Sequence, residues 1–185
     1  DWNDGMNRVG REGRGESVWL GFFIYDILRD FLPLCAARGD DDRVAAYSAY
    51  HEHLAIALND AGWDGDWYRR AYYDNGDPLG SAQSDECRID ALAQAWAVIS
   101  GAAPPERATQ ALDAMEQYLV DEVAGLIRLL TPPFDRTPND PGYIRGYLPG
   151  VRENGGQYTH GVLWAVRALA ANGRTERAAR LLEML

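Results

Sequence analysis

The chain has 185 residues, 46% of them apolar, so it can bury the core of one domain and is not expected to be disordered. Its formal net charge is −10, from 18 basic and 28 acidic residues, and no run of Lys and Arg exceeds two residues, which argues against nucleic acid as a partner. Two cysteines are too few for a disulfide framework and suit a reducing compartment, while charged residues interrupt the longest apolar runs and argue against a membrane span.

Apolar residues recur with a helical period in six segments, which predicts a chain built of α-helices. The segments are residues 17–38, 41–60, 88–100, 104–119, 158–172 and 174–185. The first is apolar on nearly all sides, so we expect it to be buried over most of its surface, with Cys35 as a buried thiol. Short turns and long loops alternate between the segments, which is typical of stacked antiparallel helical hairpins with the long loops at one end.

Two long loops carry aromatic and polar residues. The first, residues 62–86, contains Trp63 and Trp67, whose rings fit either a platform for a sugar or anchors that hold the loop on the domain. Its aspartates do not have the spacing of the twelve-residue calcium loop, so no metal site is predicted. Residues 125–131 form a short extended run. The second loop, residues 132–156, is rich in Pro and Gly, yet its aromatic residues argue against disorder.

We therefore expect an all-α fold. A closed ring of helical hairpins is an α/α toroid, and six helices make about half of a ring of twelve. The sequence opens within its most polar motif and stops inside an amphipathic pattern, so we expect residues 1–185 to be part of a larger protein.

Two polar clusters carry the residues suited to chemistry: DWNDGMN at residues 1–7 and RENGGQYTH at residues 152–160. Indole stacks on the apolar face of a pyranose, while amides and carboxylates bind its hydroxyl groups. Asp4 is the candidate general acid for breaking a glycosidic bond, and we expect it to be partly buried beside Trp2. Taken alone, an acidic loop containing Asn and Gly also fits a solvated turn.

The second cluster adds the groups of an anion site. We expect His160 and Arg152 to bind an anion together with the backbone N–H groups of Gly155 and Gly156. Inorganic phosphate bound there would act as the nucleophile in place of an activated water. Catalysis would then need only one protein carboxylate, the general acid. The alternative for His160 is a structural histidine at the start of a helix.

Both clusters resemble the inverting glycoside phosphorylases of the cellobiose phosphorylase family. Residues 13–19, 86–90, 131–138 and 141–147 are similar to one branch, the phosphorylase domain of cyclic β-1,2-glucan synthases and the related 1,2-β-oligoglucan phosphorylases. The resemblance runs along essentially the whole chain. It implies an (α/α)6 barrel, of which residues 1–185 would be a C-terminal part, incomplete at both ends. It also implies phosphorolysis of a β-linked glucan with inversion, which gives α-glucose 1-phosphate and a shortened glucan.

The resemblance also implies roles for individual residues. Asp4 would be the general acid, Trp2 a donor-sugar contact and His160 the phosphate ligand. Arg152 and Glu153 would shape the acceptor side. Gln157 and Tyr158 are further substrate-binding candidates, and they differ from the smaller or apolar residues of the cellobiose-type pattern, which favours the β-1,2 branch.

The partners that follow are a β-glucan oligosaccharide and inorganic phosphate as co-substrate, with no cofactor, no metal and no direct membrane contact by this segment. The complete protein could form a homodimer. Its expected location is the cytoplasm, or the cytoplasmic face of the inner membrane if the parent is a cyclic glucan synthase.

The chain departs from the family pattern in one respect. The family takes an arginine and an aspartate from before the acid motif, and a glutamine and a Thr-Gly pair from well after the histidine. Neither set is present, so we expect these 185 residues alone to be inactive or nearly so and to expose apolar helix faces.

Three alternatives stay open at this point. A β-1,4 phosphorylase of the cellobiose type would keep the mechanism and change the linkage. An inverting hydrolase would need a base, Glu153 or Asp85, about 6.5–9.5 Å from Asp4. A non-catalytic glycan-binding module would use aromatic side chains alone, those of Trp2, Trp63, Trp67 and Tyr143.

Overall fold

The computed structural model describes residues 2–185, and Asp1 lies outside the described residues. Six α-helices run through this part of the chain. They are α1 (Val18–Ala37), α2 (Asp41–Asp60), α3 (Ala91–Ile99), α4 (Pro105–Leu119), α5 (Thr159–Ala171) and α6 (Thr175–Leu182). Two short 3-10 helices, Asp4–Met6 and Tyr143–Gly146, lie in the loops. All six predicted helices are confirmed.

Seven two-residue strands accompany the helices in residues 2–185, so the predicted helical domain carries short β-ladders in its loops. The strands are β1 (Glu16–Ser17), β2 (Ala71–Tyr72), β3 (Pro78–Leu79), β4 (Ile89–Asp90), β5 (Val120–Asp121), β6 (Leu126–Ile127) and β7 (Leu130–Thr131). They form three antiparallel sheets, ordered β1-β2-β3, β4-β7 and β5-β6. Several of these strand residues are buried, and a buried backbone needs hydrogen-bond partners that helices do not supply here.

Helix α3 lies at the centre of the domain. It contacts α1, α4 and α5, while α1 pairs with α2 and α5 with α6. Its small and apolar residues are buried along almost its whole length, which allows helices to pack on several sides of it. The buried Gln94 amide exchanges two 2.8 Å hydrogen bonds with the backbone N–H and C=O of Tyr68, and so holds the first long loop on this central helix.

The first residue predicted for α3 lies three positions before the observed start of the helix at Ala91. The helix was expected from residue 88, but Ile89 and Asp90 are extended and pair with Thr131 and Leu130 of β7. Asp90 then caps the helix, because its carboxylate accepts the backbone N–H of Leu92 at 2.7 Å.

Helix α1 is less buried than its composition predicts. Cys35 is buried as expected, but Ile27, Phe31 and Leu34 are 46%, 44% and 58% exposed. These three residues lie on one face of the helix, whereas α2 and α3 cover other parts of it. No helix in residues 2–185 combines the length and apolar character needed to cross a membrane.

The aromatic residues of the first loop anchor it to the domain. The indole N–H of Trp67 donates to the carbonyls of Gly80 and Arg88 at 2.9 and 3.0 Å, and the ring is 6% exposed. The ring of Trp63 lies 5.0 Å from the Arg107 guanidinium. Of the two interpretations of this cluster, the geometry supports the anchor and leaves Trp67 too buried to stack on a sugar.

Side-chain acceptors give the loops their shape. Asp74 accepts the backbone N–H groups of Glu12, Arg14 and Gly15, each at 2.9 Å, and Asp64 pairs with Arg69. Among residues 2–185 there is no group of three or more His, Cys, Asp or Glu side chains arranged to hold a metal ion.

The second long loop is ordered, as its aromatic content predicts. Glu86 accepts the N–H groups of residues 135, 136 and 137 at 2.7–3.0 Å. The fully buried Asn154 binds both backbone groups of Phe134 and the carbonyl of Tyr147. These bonds fold the loop back toward residues 2–9 and bring the two polar clusters of the sequence to one end of the domain.

Candidate active site

A 3-10 turn presents the candidate acid. The side chain of Asn3 caps this turn by accepting the N–H of Gly5 at 3.0 Å, and Asp4 is its first residue. Asp4 lines a cavity of about 380 Å³ whose wall also includes Glu16, Leu20 and the buried Arg70. The expected partial burial of Asp4 beside Trp2 is wrong, because the Asp4 side chain is exposed and the Trp2 indole packs instead on α5.

Residues 140–143 clamp the acid loop from the other side. The Tyr143 N–H donates to the side-chain oxygen of Asn7 at 3.2 Å, and the Arg8 N–H donates to the carbonyl of Pro141 at 3.3 Å. The carboxylate of Asp140 accepts the N–H of Gly142 and pairs with the Arg8 guanidinium. The Gly142 N–H lowers the pKa of Asp140, and Arg8 lowers it further against the opposing effect of burial. Asp140 is therefore held as a carboxylate that fixes the loop carrying the acid.

Gly142 is needed for this clamp, because its φ of +117° lies in the region that L-residues rarely adopt. A Cβ atom there would lie 2.2 Å from the Asn7 side-chain oxygen and 2.6 Å from the Gly5 carbonyl oxygen. We expect Gly142→Ala to lower the free energy of unfolding by roughly 1–3 kcal/mol and to displace the acid loop. Denaturant midpoints measure the first effect, and kcat in the active protein measures the second.

The matched control is Gly146→Ala, at the end of the same 3-10 helix. Gly146 has no atom within 4 Å of its would-be Cβ and no positive φ. We expect a change of at most about 0.5 kcal/mol in this variant. Equal effects of the two substitutions would contradict the clamp.

The two sequence clusters meet at Trp2 and His160. The indole N–H of Trp2 donates to Nδ1 of His160 at 3.2 Å, although the two residues are 158 positions apart. Edge-on ring contacts with Tyr158 and Trp164, at 5.4 and 5.6 Å between centroids, hold the indole on the start of α5. The structure thus places the predicted phosphate-binding histidine against the motif that carries the predicted acid.

The backbone part of the predicted anion site is wrong. The N–H of Gly155 donates to the carbonyl of Glu153 at 2.9 Å, and the N–H of Gly156 donates to the carbonyl of Arg152 at 3.2 Å. Both glycines are buried and their N–H groups are used within the turn. Of the groups predicted to bind the anion, the side chains of His160 and Arg152 remain candidates.

Arg152 and Glu153 form an ion pair with 3.4 Å between Nε and Oε2. The Arg152 guanidinium also lies 4.7 Å from the ring centroid of Tyr147, and Tyr147 meets Tyr143 edge-on at 6.2 Å. The phenol of Tyr143 has a raised pKa, first because of desolvation and then because of the negative charge of Asp4. Tyr143 is thus close enough to Asp4 for the carboxylate charge to act on its phenol, a proximity that the sequence does not predict.

The two remaining predicted ligands have partners within the chain. The side-chain oxygen of Gln157 accepts the N–H of Ile127 at 2.8 Å, so this amide helps to hold β6. Tyr158 is partly buried and packs edge-on against Trp2. Both residues precede His160 closely in the sequence, and Tyr158 also contacts Trp2. Their role as substrate-binding residues stays a prediction.

The alternative base Asp85 lies in another part of the loop region. It lines a separate cavity with Asp77, Glu86 and Thr137, and it is absent from the lining of the Asp4 cavity. Glu153, the other candidate base, is paired with Arg152. Neither predicted base shares the cavity of Asp4, and the other carboxylate among the residues that line this cavity is Glu16.

Comparison with known proteins shows the family of the chain. Residues 1–185 match the catalytic domain of the glycosyl hydrolase 94 superfamily. The chain is 56% identical over 185 residues to the cyclic β-(1,2)-glucan synthase NdvB of Rhizobium meliloti (strain 1021), covering all of this chain and 6% of that protein.

Two phosphorylases are also similar. Solabiose phosphorylase of Paenibacillus borealis is 37% identical over 182 residues, and N,N'-diacetylchitobiose phosphorylase of Vibrio proteolyticus is 34% identical over 187 residues. The matches cover 96% and 100% of this chain and 23% of each phosphorylase, so the chain spans less than a quarter of the length of these relatives. The resemblance seen in the sequence is confirmed, and the chain belongs to the glycosyl hydrolase 94 superfamily as catalytic-domain sequence.

Proposed function

We propose that this chain is a C-terminal part of the (α/α)6 catalytic domain of a longer inverting glycoside phosphorylase. Its substrate would be a β-linked glucan, β-1,2-linked, and its co-substrate inorganic phosphate, with no further cofactor. The observation that carries the proposal is the hydrogen bond from Trp2 to His160, because it brings the candidate anion ligand against a residue two positions before the candidate acid. The similarity to named phosphorylases supports the reaction type.

The chemistry needs one proton donor and one nucleophile. Asp4 gives its proton to the glycosidic oxygen as the bond from the anomeric carbon to that oxygen breaks. A phosphate oxygen attacks the same carbon from the opposite face and forms the new bond. The β-linkage is thereby inverted to α-glucose 1-phosphate, and the shortened glucan leaves with the proton on its hydroxyl group.

The other proposed residues bind and orient. The His160 imidazole donates to phosphate, and the exposed guanidinium of Arg152 offers positive charge on the acceptor side. Trp2 contributes its apolar ring to the donor sugar. Glu153, Gln157 and Tyr158 complete the proposed set of substrate contacts.

The β-1,2 linkage rests on similarity to NdvB, which is named as a cyclic β-(1,2)-glucan synthase. The phosphorylases that are also similar are named for other disaccharides, so residue types alone do not select the linkage. The identity of 56% to NdvB, against 37% and 34% to these phosphorylases, is the reason for the choice.

The test uses the longer protein that carries this chain. It is incubated with β-1,2-gluco-oligosaccharides and, separately, with cellobiose, each with and without phosphate, and glucose 1-phosphate is measured. We expect phosphate-dependent release from the β-1,2 substrate. Release of glucose 1-phosphate from cellobiose alone would support phosphorolysis and contradict the proposed β-1,2 linkage. Free glucose formed without phosphate would indicate a hydrolase instead.

A further inference from the structure

The hydrogen bond between Trp2 and His160 has a definite direction. An indole Nε1–H can only donate, so the Nδ1 atom of His160, 3.2 Å away, must accept through its lone pair. A neutral imidazole carries one donor and one acceptor nitrogen. With Nδ1 as the acceptor, the proton resides on Nε2.

Ring packing holds this pair in place. Trp164 contacts both partners, with centroid distances of 5.6 Å to Trp2 and 4.6 Å to His160. Trp164 sits one turn along α5 from His160, so it approaches the imidazole from the same helix face. Tyr158 closes the other side of the indole.

We propose that Trp2 is a positioning residue that fixes His160 as the Nε2–H tautomer. The inference rests on the proposed function in one respect, namely that phosphate is the ligand. Phosphate oxygens accept hydrogen bonds, so a histidine that binds them must present a donor. The other tautomer would turn a lone pair toward the phosphate and repel it. The tautomer of the imidazole is thus set by a residue whose sequence pattern suggested only a sugar contact.

Trp2→Phe removes the N–H and keeps an aromatic ring against Tyr158 and Trp164. Trp164→Phe is the matched control, because it removes an indole N–H from the same cluster without removing the bond to Nδ1. Both variants are made in the longer protein that carries this chain. His160→Gln in the same protein identifies the His160 signals by difference.

The tautomer is measured by solid-state ¹⁵N NMR of protein labelled at histidine. In the wild-type protein and in Trp164→Phe, we expect Nδ1 of His160 to resonate as an unprotonated nitrogen and Nε2 as a protonated one. In Trp2→Phe, we expect a mixture of both tautomers. A protonated Nδ1 in the wild-type protein, or an unchanged spectrum in Trp2→Phe, would overturn the proposal.

Kinetics then tests the positioning role separately. We expect Trp2→Phe to raise the KM for phosphate by about twofold if the two tautomers become equally populated, in excess of any change in Trp164→Phe, because only the Nε2–H fraction then presents a donor. An unchanged KM for phosphate would overturn the positioning role even if the tautomer is as assigned. A wild-type protein with the fixed tautomer and no phosphorolysis would instead overturn the proposed function and leave the tautomer assignment standing.

Discussion

Asp4→Asn is expected to lower kcat for phosphorolysis by about two to four orders of magnitude, the range that general acid catalysis contributes. The amide has nearly the shape of the carboxyl group but cannot protonate the departing glycosidic oxygen. The KM for phosphate should change little, because phosphate binding is assigned to other side chains. Initial rates of glucose 1-phosphate release measure both quantities in the longer protein.

The structure provides two checks on this result. Asp4 is exposed, so Asp4→Asn should leave the free energy of unfolding unchanged within about 0.5 kcal/mol. A substrate with an activated aryl leaving group needs little protonation and should recover most of the lost rate. Asp85→Asn is the matched control, since Asp85 lines a separate cavity, and its activity should stay near that of the wild type. If Asp4→Asn lowers kcat by less than tenfold, Asp4 is excluded as the general acid.

Asp90→Ala is expected to lower the free energy of unfolding by about 3–5 kcal/mol, the usual effect of removing one partner of a buried ion pair. Asp90 and Arg70 have no exposed side-chain surface, and their charged groups lie 3.5 Å apart. The alanine would leave the buried guanidinium with one carboxylate fewer and would also remove the cap of α3. This loss is a large part of the stability of a typical domain. The midpoint of denaturant unfolding at unchanged slope measures it.

Asp90→Asn separates the two causes of that loss. Asparagine is as good a helix cap as aspartate, so this variant keeps the bond to the Leu92 N–H, while its –NH2 group replaces the charged oxygen that faces Arg70. We expect its stability to lie between those of the wild type and of Asp90→Ala. If both variants unfold at the wild-type midpoint, the pair contributes nothing to the fold.

The helices were predictable because their apolar periodicity is local. The bounds of α2 were predicted without error, and those of α1, α5 and α6 within three residues. The late start of α3 was not predictable, since residues 89 and 90 extend only because β7, forty residues away, pairs with them. Such non-local pairing leaves no periodic signal over two residues.

The sequence leads to candidate site residues, whose roles stay predictions, but it does not give the geometry of the site. Asp4 and His160 were chosen as candidates from their residue types. The predicted burial of Asp4 is wrong because the Trp2 ring packs on α5, a long-range contact that the sequence does not indicate. The glycine N–H groups were assigned to an anion, whereas the turn itself uses them. The role of Gly142 was missed, although a glycine after proline in a long polar loop is a signal of an unusual backbone.

The contact between Trp2 and His160 also marks a late stage of the folding of this domain. Two groups separated by 158 positions meet only after the intervening chain has closed on itself, and contacts of such long range form slowly. A partly folded state that contains only residues 2–60, or only α5 and α6, holds one member of the pair and lacks the contact. The Trp2–His160 contact can therefore serve as a reporter that the whole domain has reached its native arrangement, which a helical signal alone would not distinguish.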